Sequence, residues 1–192
     1  MAKSTPQAKR LTSKERLLQD ATQWMMANGA DDFSLRNMAK GLNTSARMLV
    51  YHFGSKNGLL AAVLENISGM WMHEVRAIEG SAVVDQLQRL WTHKLTTVTA
   101  KNLHVLTIQL WARGLARRDP VYAPFLRTVS QGWIDALTPH FRFQGQPDDQ
   151  AQARAMLCVA AIEGLLLHRV TDEALPADRA FALLMDVFRG WS

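Results

Sequence analysis

The sequence predicts an all-α protein in which three N-terminal helices, the second and third of them short, are followed by six more. Three observations lead there. No stretch sustains the apolar and polar alternation of a strand, and no Asn-Gly or Asp-Gly hairpin turn sits between β-branched runs. Apolar residues recur instead every three or four positions along most of the chain. Helix-starting hydroxyls and helix-stopping glycines fall at the ends of those runs.

The first element opens on "TSKE" (12–15), a capping box in which Thr12 accepts from the backbone of Glu15 while the Glu15 carboxylate reaches back. Leu17, Ala21, Trp24 and Met25 form its apolar stripe and Gly29 its stop, giving a helix over 13–28. Ser34 caps a second, short helix with Leu35, Met38, Ala39 and Leu42 inward, ending at Gly41-Leu42-Asn43. Thr44 or Ser45 caps the third, over about 45–51, with Met48, Leu49 and His52 or Phe53 along one side. Asn43 is the non-glycine type that best tolerates positive φ. A turn this tight between two short helices is a helix-turn-helix unit.

From Ser55 one long stripe follows: Leu60, Val63, Leu64, Ile67, Trp71, Val75 and Ile78. A helix over 55–78 is roughly 36 Å long at 1.5 Å per residue. Further helices are expected over about 82–99, 103–117 and 120–138, the last capped by Asp119 with Pro120 in its first turn, where a missing N–H costs little. "TPHFRFQGQPDD" is the least helical segment and predicts a loop at 139–147. Helices over about 148–170 and 176–190 close the chain.

Charge divides the 192 residues at the same point as the pattern. Residues 1–56 hold nine of the 22 Lys and Arg against four of the 17 Asp and Glu, which is the whole net charge of +5; the rest cancels. An anionic polymer is the expected partner of the first third, nucleic acid ahead of a membrane surface. The division gives a flexible basic arm at 1–11, a helix-turn-helix domain at 12–54 and a larger domain at 55–192. The single Cys158, between Leu157 and Val159, excludes an internal disulfide and reads as a small core residue in a reducing compartment. "AMLCVAAIEGLLL" (155–167) is too short to span a bilayer, and the basic N-terminus has no apolar signal core, so a cytoplasmic protein without membrane partners is expected.

A helix-turn-helix offers the N-terminal side chains of its second helix to the DNA major groove. Here those are Ser45, Ala46, Arg47 and Met48. Arg47 suits a bidentate pair with guanine and Met48 a thymine methyl. Thr44, Tyr51, His52 and Lys56 supply donors for backbone phosphates, and Arg36 reaches either backbone or base. Leu49 and Phe53 fix the recognition helix to the first helix.

The segment "FSLRNMAKGLNTSARMLVYHFGSKNGLLAAVL" (33–64) resembles the N-terminal signature of TetR-type bacterial transcriptional regulators, with Arg36, Ala39, Ser45, Leu49, Tyr51, His52, Phe53, Ser55, Lys56 and Leu59 in register. Asn43 replaces the usual turn glycine, Val50 stands where an aromatic phosphate contact is common, and Arg47-Met48 replaces a frequent Gly-Thr pair, so the operator does not follow from the family pattern. The resemblance implies a double-stranded operator, a small organic effector, and a six-helix ligand-binding and dimerisation domain. A repressor released by its effector is the function it implies, against an effector-independent architectural DNA-binding protein as the alternative.

The helix at 148–170 supports the dimer from its own residues. Ala153, Leu157, Ala160, Gly164 and Leu167 lie on one face, and Met156, Val159, Ile162, Leu166 and Val170 on another; a helix apolar on both sides needs covering on both. The resemblance then implies a four-helix interface from Leu157, Ala160, Gly164 and Leu167 with Phe181, Leu184, Phe188 and Trp191 of the last helix. Trp71, Trp91, Trp111 and Trp133 are candidate walls of an effector cavity, although core packing accounts for them equally well. The histidines are scattered, with no HExxH and no cysteine partner, so no metal or cofactor is expected. Asp148-Asp149 and Asp172-Glu173 sit at helix ends, where the dipole accounts for them, and no enzymatic activity is expected.

Overall fold

The computed structural model describes residues 12–31, 33–76, 83–117, 119–142 and 147–190. The basic arm at 1–11, the Val75 side chain, Ile78, residues 143–146 of the expected loop and Trp191 lie outside the described residues. Among the described residues there are nine α-helices and no strand. They are α1 (Ser13–Asn28), α2 (Leu35–Gly41), α3 (Ala46–Phe53), α4 (Lys56–Arg76), α5 (Val83–Thr96), α6 (Val98–Arg117), α7 (Ala123–Leu137), α8 (Asp148–Thr171) and α9 (Ala177–Arg189).

Local chemistry accounts for most of the boundaries. The Thr12–Glu15 capping box is present in both directions, and Gly29 ends α1 at φ 78°. Asp119 Oδ1 accepts from the Val121 amide at 3.0 Å and starts a 3-10 turn, Pro120–Tyr122, ahead of α7. A second 3-10 turn, Thr138–Phe141, fills the start of the expected loop. The α5–α6 junction differs from expectation, because α6 begins at Val98 and not near 103. Thr97 alone separates the two helices: its amide donates to His93 at 3.1 Å and its carbonyl accepts from Lys101 at 3.0 Å. No glycine or proline marks that break, so the spacing of apolar residues placed it too late.

The helices form two compact units. The first joins residues up to Ile67 with 102–122, so the expected boundary near Ser55 falls inside it. Its core holds Ala21, Met25, Met38, Leu49, Leu59 and Leu64 with Leu103, Leu106 and Leu110 of α6. Gln109 Oε1 accepts from the Ala30 amide at 2.9 Å, and Arg113 donates to the Asp31 carboxylate at 2.8 Å and to its carbonyl at 3.2 Å. The turn that follows α1 is thereby tied to α6. The second unit joins 68–101 with the residues from Ala123 onward. Trp71, Trp91, Phe125, Trp133, Phe141, Phe181 and Phe188 are buried in it, so aromatic area carries much of its packing. No helix among the described residues is long and apolar enough to cross a membrane.

Candidate nucleic-acid interface and effector cavity

Four residues, 42–45, connect α2 to α3 and set the recognition helix. Asn43 takes φ 50°, the conformation expected of the residue standing where glycine is usual. Its amide and that of Thr44 donate back to Lys40 (3.3 Å) and Ala39 (2.9 Å), which closes the turn. Of the two candidate caps, Ser45 is the one used: its Oγ accepts from the Met48 amide at 3.1 Å. Ser34 caps α2 in the same way through the Asn37 amide, also at 3.1 Å.

Leu49 is the one residue of α3 that is fully buried, and it fixes what the other side of the helix shows. Ala46, Arg47, Met48 and Tyr51 are exposed, Tyr51 to 77%. An aromatic ring left so far in water contributes little to folding. Arg36 is exposed on α2, Ser45 is exposed at the cap, Thr44 is half-buried in the turn, and His52 is half-buried with its ring edge-on to Tyr51 at 5.1 Å. The Lys56 ammonium lies 5.3 Å from the Phe33 ring, and that of Lys14 lies 5.7 Å from Phe53. Lys14 is a basic group of this region that the motif did not single out, because it lies on α1, outside the signature; its place in the basic first third was the available signal.

The second unit contains a cavity of about 30 Å³ walled by residues of α5, α7 and α8, room for about one water molecule. Trp91 and Trp133 line it. Trp71 is buried with its ring edge-on to Trp133 at 6.0 Å, and the Lys94 ammonium sits 3.6 Å from the Trp71 centroid. Trp111 is 37% exposed, on the part of α6 that belongs to the first unit. Lys94 and Glu163 also line the cavity, with Val159, Ile162 and Leu166 of α8, and sequence reasoning singled out none of these as walls. Lys94 follows Trp91 at i+3 on the apolar stripe of α5, and Glu163 interrupts an apolar run, so a charge in an apolar register was the signal.

On α8 the face of small and apolar residues is open. Leu157 is 59% and Leu167 45% exposed, Ala160 is exposed, and nothing lies within 4 Å of where a Gly164 Cβ would be. The expectation for α9 needs correction. Phe181 and Phe188 are buried in the subunit's own core, Phe181 stacked on Trp91 at 4.3 Å and Phe188 edge-on to Phe141 at 5.7 Å. The reason is register: Ala177, Phe181, Met185 and Phe188 share the inward stripe, whereas Leu183 and Val187 face outward with Leu184 half-buried between. Leu183, Leu184 and Val187 line a shallow apolar groove with Ala160, Ala161 and Gly164 of α8.

Among the described residues no cluster of three or more His, Cys, Asp or Glu can hold a metal ion. Burial pushes the Cys158 thiol up to about 12, which keeps it protonated and chemically quiet at neutral pH.

Comparison with known proteins bears on both units. Residues 17–63 match the family model for bacterial regulatory proteins of the tetR family, and residues 83–190 match that for the C-terminal domain of BetI-type transcriptional repressors. No curated protein matches the chain. Among solved structures, a transcriptional regulator from Rhodococcus sp. Rha1 is 20% identical with a TM-score of 0.74, covering 93% of this chain and 95% of its own. A transcriptional regulator from Saccharomonospora viridis in complex with choline is 21% identical with a TM-score of 0.72, covering 92% and 95%. The multidrug binding protein EbrR complexed with proflavin is 19% identical with a TM-score of 0.65, covering 90% and 98%. At such identities the likeness is one of fold, but the two family models together take in the recognition helix and more than half of the chain. The chain belongs to the TetR family of DNA-binding transcriptional regulators.

Proposed function

We propose that this regulator is a cytoplasmic homodimeric repressor that leaves its operator when a small organic effector enters the cavity between α5, α7 and α8. The observation that carries the DNA-reading half is the face of α3, where Ala46, Arg47, Met48 and Tyr51 are exposed around the buried Leu49. Thr44, Tyr51, His52 and Lys56 hold phosphates, Arg36 reaches backbone or base, Arg47 pairs with guanine and Met48 packs on a thymine methyl, with Ser45 and Ala46 beside them at the base edges. Ser45 can still donate to a base edge after capping, because its Oγ accepts from an amide and its O–H remains a donor.

The open face of α8 and α9 supports the dimer. Leu157, Ala160, Gly164, Leu167, Leu183, Leu184 and Val187 bury against their copies about a two-fold axis, small residues allowing close approach. Two recognition helices then meet a partly palindromic site with half-site centres about 34 to 36 Å apart or somewhat wider.

The complexes of structural relatives with choline and proflavin support an organic effector. A cavity of about 30 Å³ is the closed form, and the effector opens it. α4, which begins two residues after the recognition helix ends and carries Trp71 near its other end, transmits the change. The effector acts only through its differential affinity for the two states, about 1 to 3 kcal/mol of coupling.

Selection of bound sequences from random DNA, followed by a small-molecule panel on the selected operator, tests this. The expected result is a two-fold footprint and at least one compound that changes both tryptophan fluorescence and operator affinity. A monomer footprint on one half-site at saturating protein would end the dimer reading. Ligands that bind yet never alter DNA affinity would leave an architectural DNA-binding protein.

A further inference from the structure

The second unit holds a cation where a cation is unexpected. Lys94 is 6% exposed, and its ammonium lies 3.6 Å from the centroid of Trp71 on α4 and 5.9 Å from that of Trp133 on α7. Glu163 of α8 lines the same cavity, as do Lys94 and Trp133 themselves. Two electron-rich ring faces and a carboxylate are the chemistry that recognises an organic ammonium ion. Lys94 also lies in the last turn of α5, where the helix dipole favours a positive charge.

We infer that the Trp71–Trp133 face is an organic-ammonium subsite whose resident cation is the chain's own Lys94, a tethered occupant that denies the site to free ammonium ions until it is displaced. The inference rests on the reading of this core as the effector cavity and adds what decides its selectivity. A free ammonium ion arriving at the closed cavity meets a filled ring face, a like charge in a poorly screened interior, and space for about one water. Removing the lysine side chain while leaving both tryptophans and Glu163 exchanges a tethered cation for a vacant cage of the same chemistry. Lys94 is thus a specificity-determining residue: the wild-type cavity rejects small quaternary ammonium ions, and the Lys94→Ala cavity takes them.

Calorimetry with choline and with its neutral carbon isostere, 3,3-dimethylbutan-1-ol, decides this on the full-length wild type and on Lys94→Ala. Choline should bind Lys94→Ala about tenfold or more tighter than wild type, with no comparable gain for the isostere. Wild type binding choline as tightly as the variant overturns the inference, and so does a variant that does not distinguish the two compounds. Should Lys94→Ala not fold, NMR of the wild type still decides: the ring current of Trp71 must move the Lys94 ε-CH2 protons upfield of those of the exposed lysines, and unshifted protons remove the resident cation. Failure of the effector reading is a separate result, because it shows as unchanged operator affinity whatever the cavity binds.

Discussion

α3 and α5 use similar residues for opposite ends. α3 buries one residue, Leu49, and turns Arg47, Met48 and Tyr51 to water. α5 buries Leu87, Trp91 and Lys94, turning a ring and a cation inward. On α3 Arg47, Met48 and Tyr51 lie outside the core, so substitutions there should leave stability largely intact. On α5 the ring and the cation are part of the core, so a substitution at either also changes what holds the second unit together.

The widest separation should come from Leu49 and Tyr51, two positions apart on the same helix. Leu49→Ala leaves a cavity under α3 and should cost about 2 to 5 kcal/mol in chemical denaturation. Tyr51→Ala should stay within about 0.5 kcal/mol of wild type while weakening operator binding. Equal losses of stability would erase the contrast drawn between the two helices.

Next in size is the division of labour on the DNA face. Arg47→Ala should cost about 1 to 3 kcal/mol of operator affinity and relax preference at one base pair per half-site. Lys56→Ala should weaken all sequences alike and reduce the slope of affinity against salt. Binding measured over a set of single-base operator variants separates the two, and the same altered preference from both substitutions would refute the division.

The smallest effect expected at neutral pH is that of Cys158. With its thiol held up at about 12, the native side chain should stay inert to thiol reagents until the protein unfolds. The unfolded thiol ionises from about pH 8.5, so the linked stability is complete below that pH and is lost as the pH rises towards 12. Subtracting the pH profile of Cys158→Ala isolates this contribution, and a native thiol labelled at neutral pH would contradict the burial.

Much of the first unit was legible because its signals are local. The Thr12–Glu15 box, the Ser34 and Ser45 caps and the left-handed Asn43 each act within three or four residues, and each is present. The attachment of α6 to the turn after α1 was not legible, since Gln109 meets Ala30 across 79 positions and Arg113 meets Asp31 across 82. Periodicity identified α9 as amphipathic but not which stripe the subunit keeps for itself. Phe181 and Phe188 are the larger residues and fill the core, while Leu183 and Val187 are left outside. Lys94 escaped notice for a related reason: a lysine reads as surface until the rings that receive it are known to converge.

The join between α3 and α4 carries a mechanical consequence. Gly54 turns the chain at φ 79°, Ser55 caps α4 through the Gly58 amide at 3.0 Å, and a side chain at Gly58 would strike the Phe53 carbonyl. The elbow is two residues long and closely packed at Gly58, so a tilt of the start of α4 should be passed on to α3. A rotation of about 5° delivered through the start of α4 swings α3, about 12 Å long, by about 1 Å at its far end. That throw exceeds the roughly 0.5 Å distance window within which a hydrogen bond to a base edge holds.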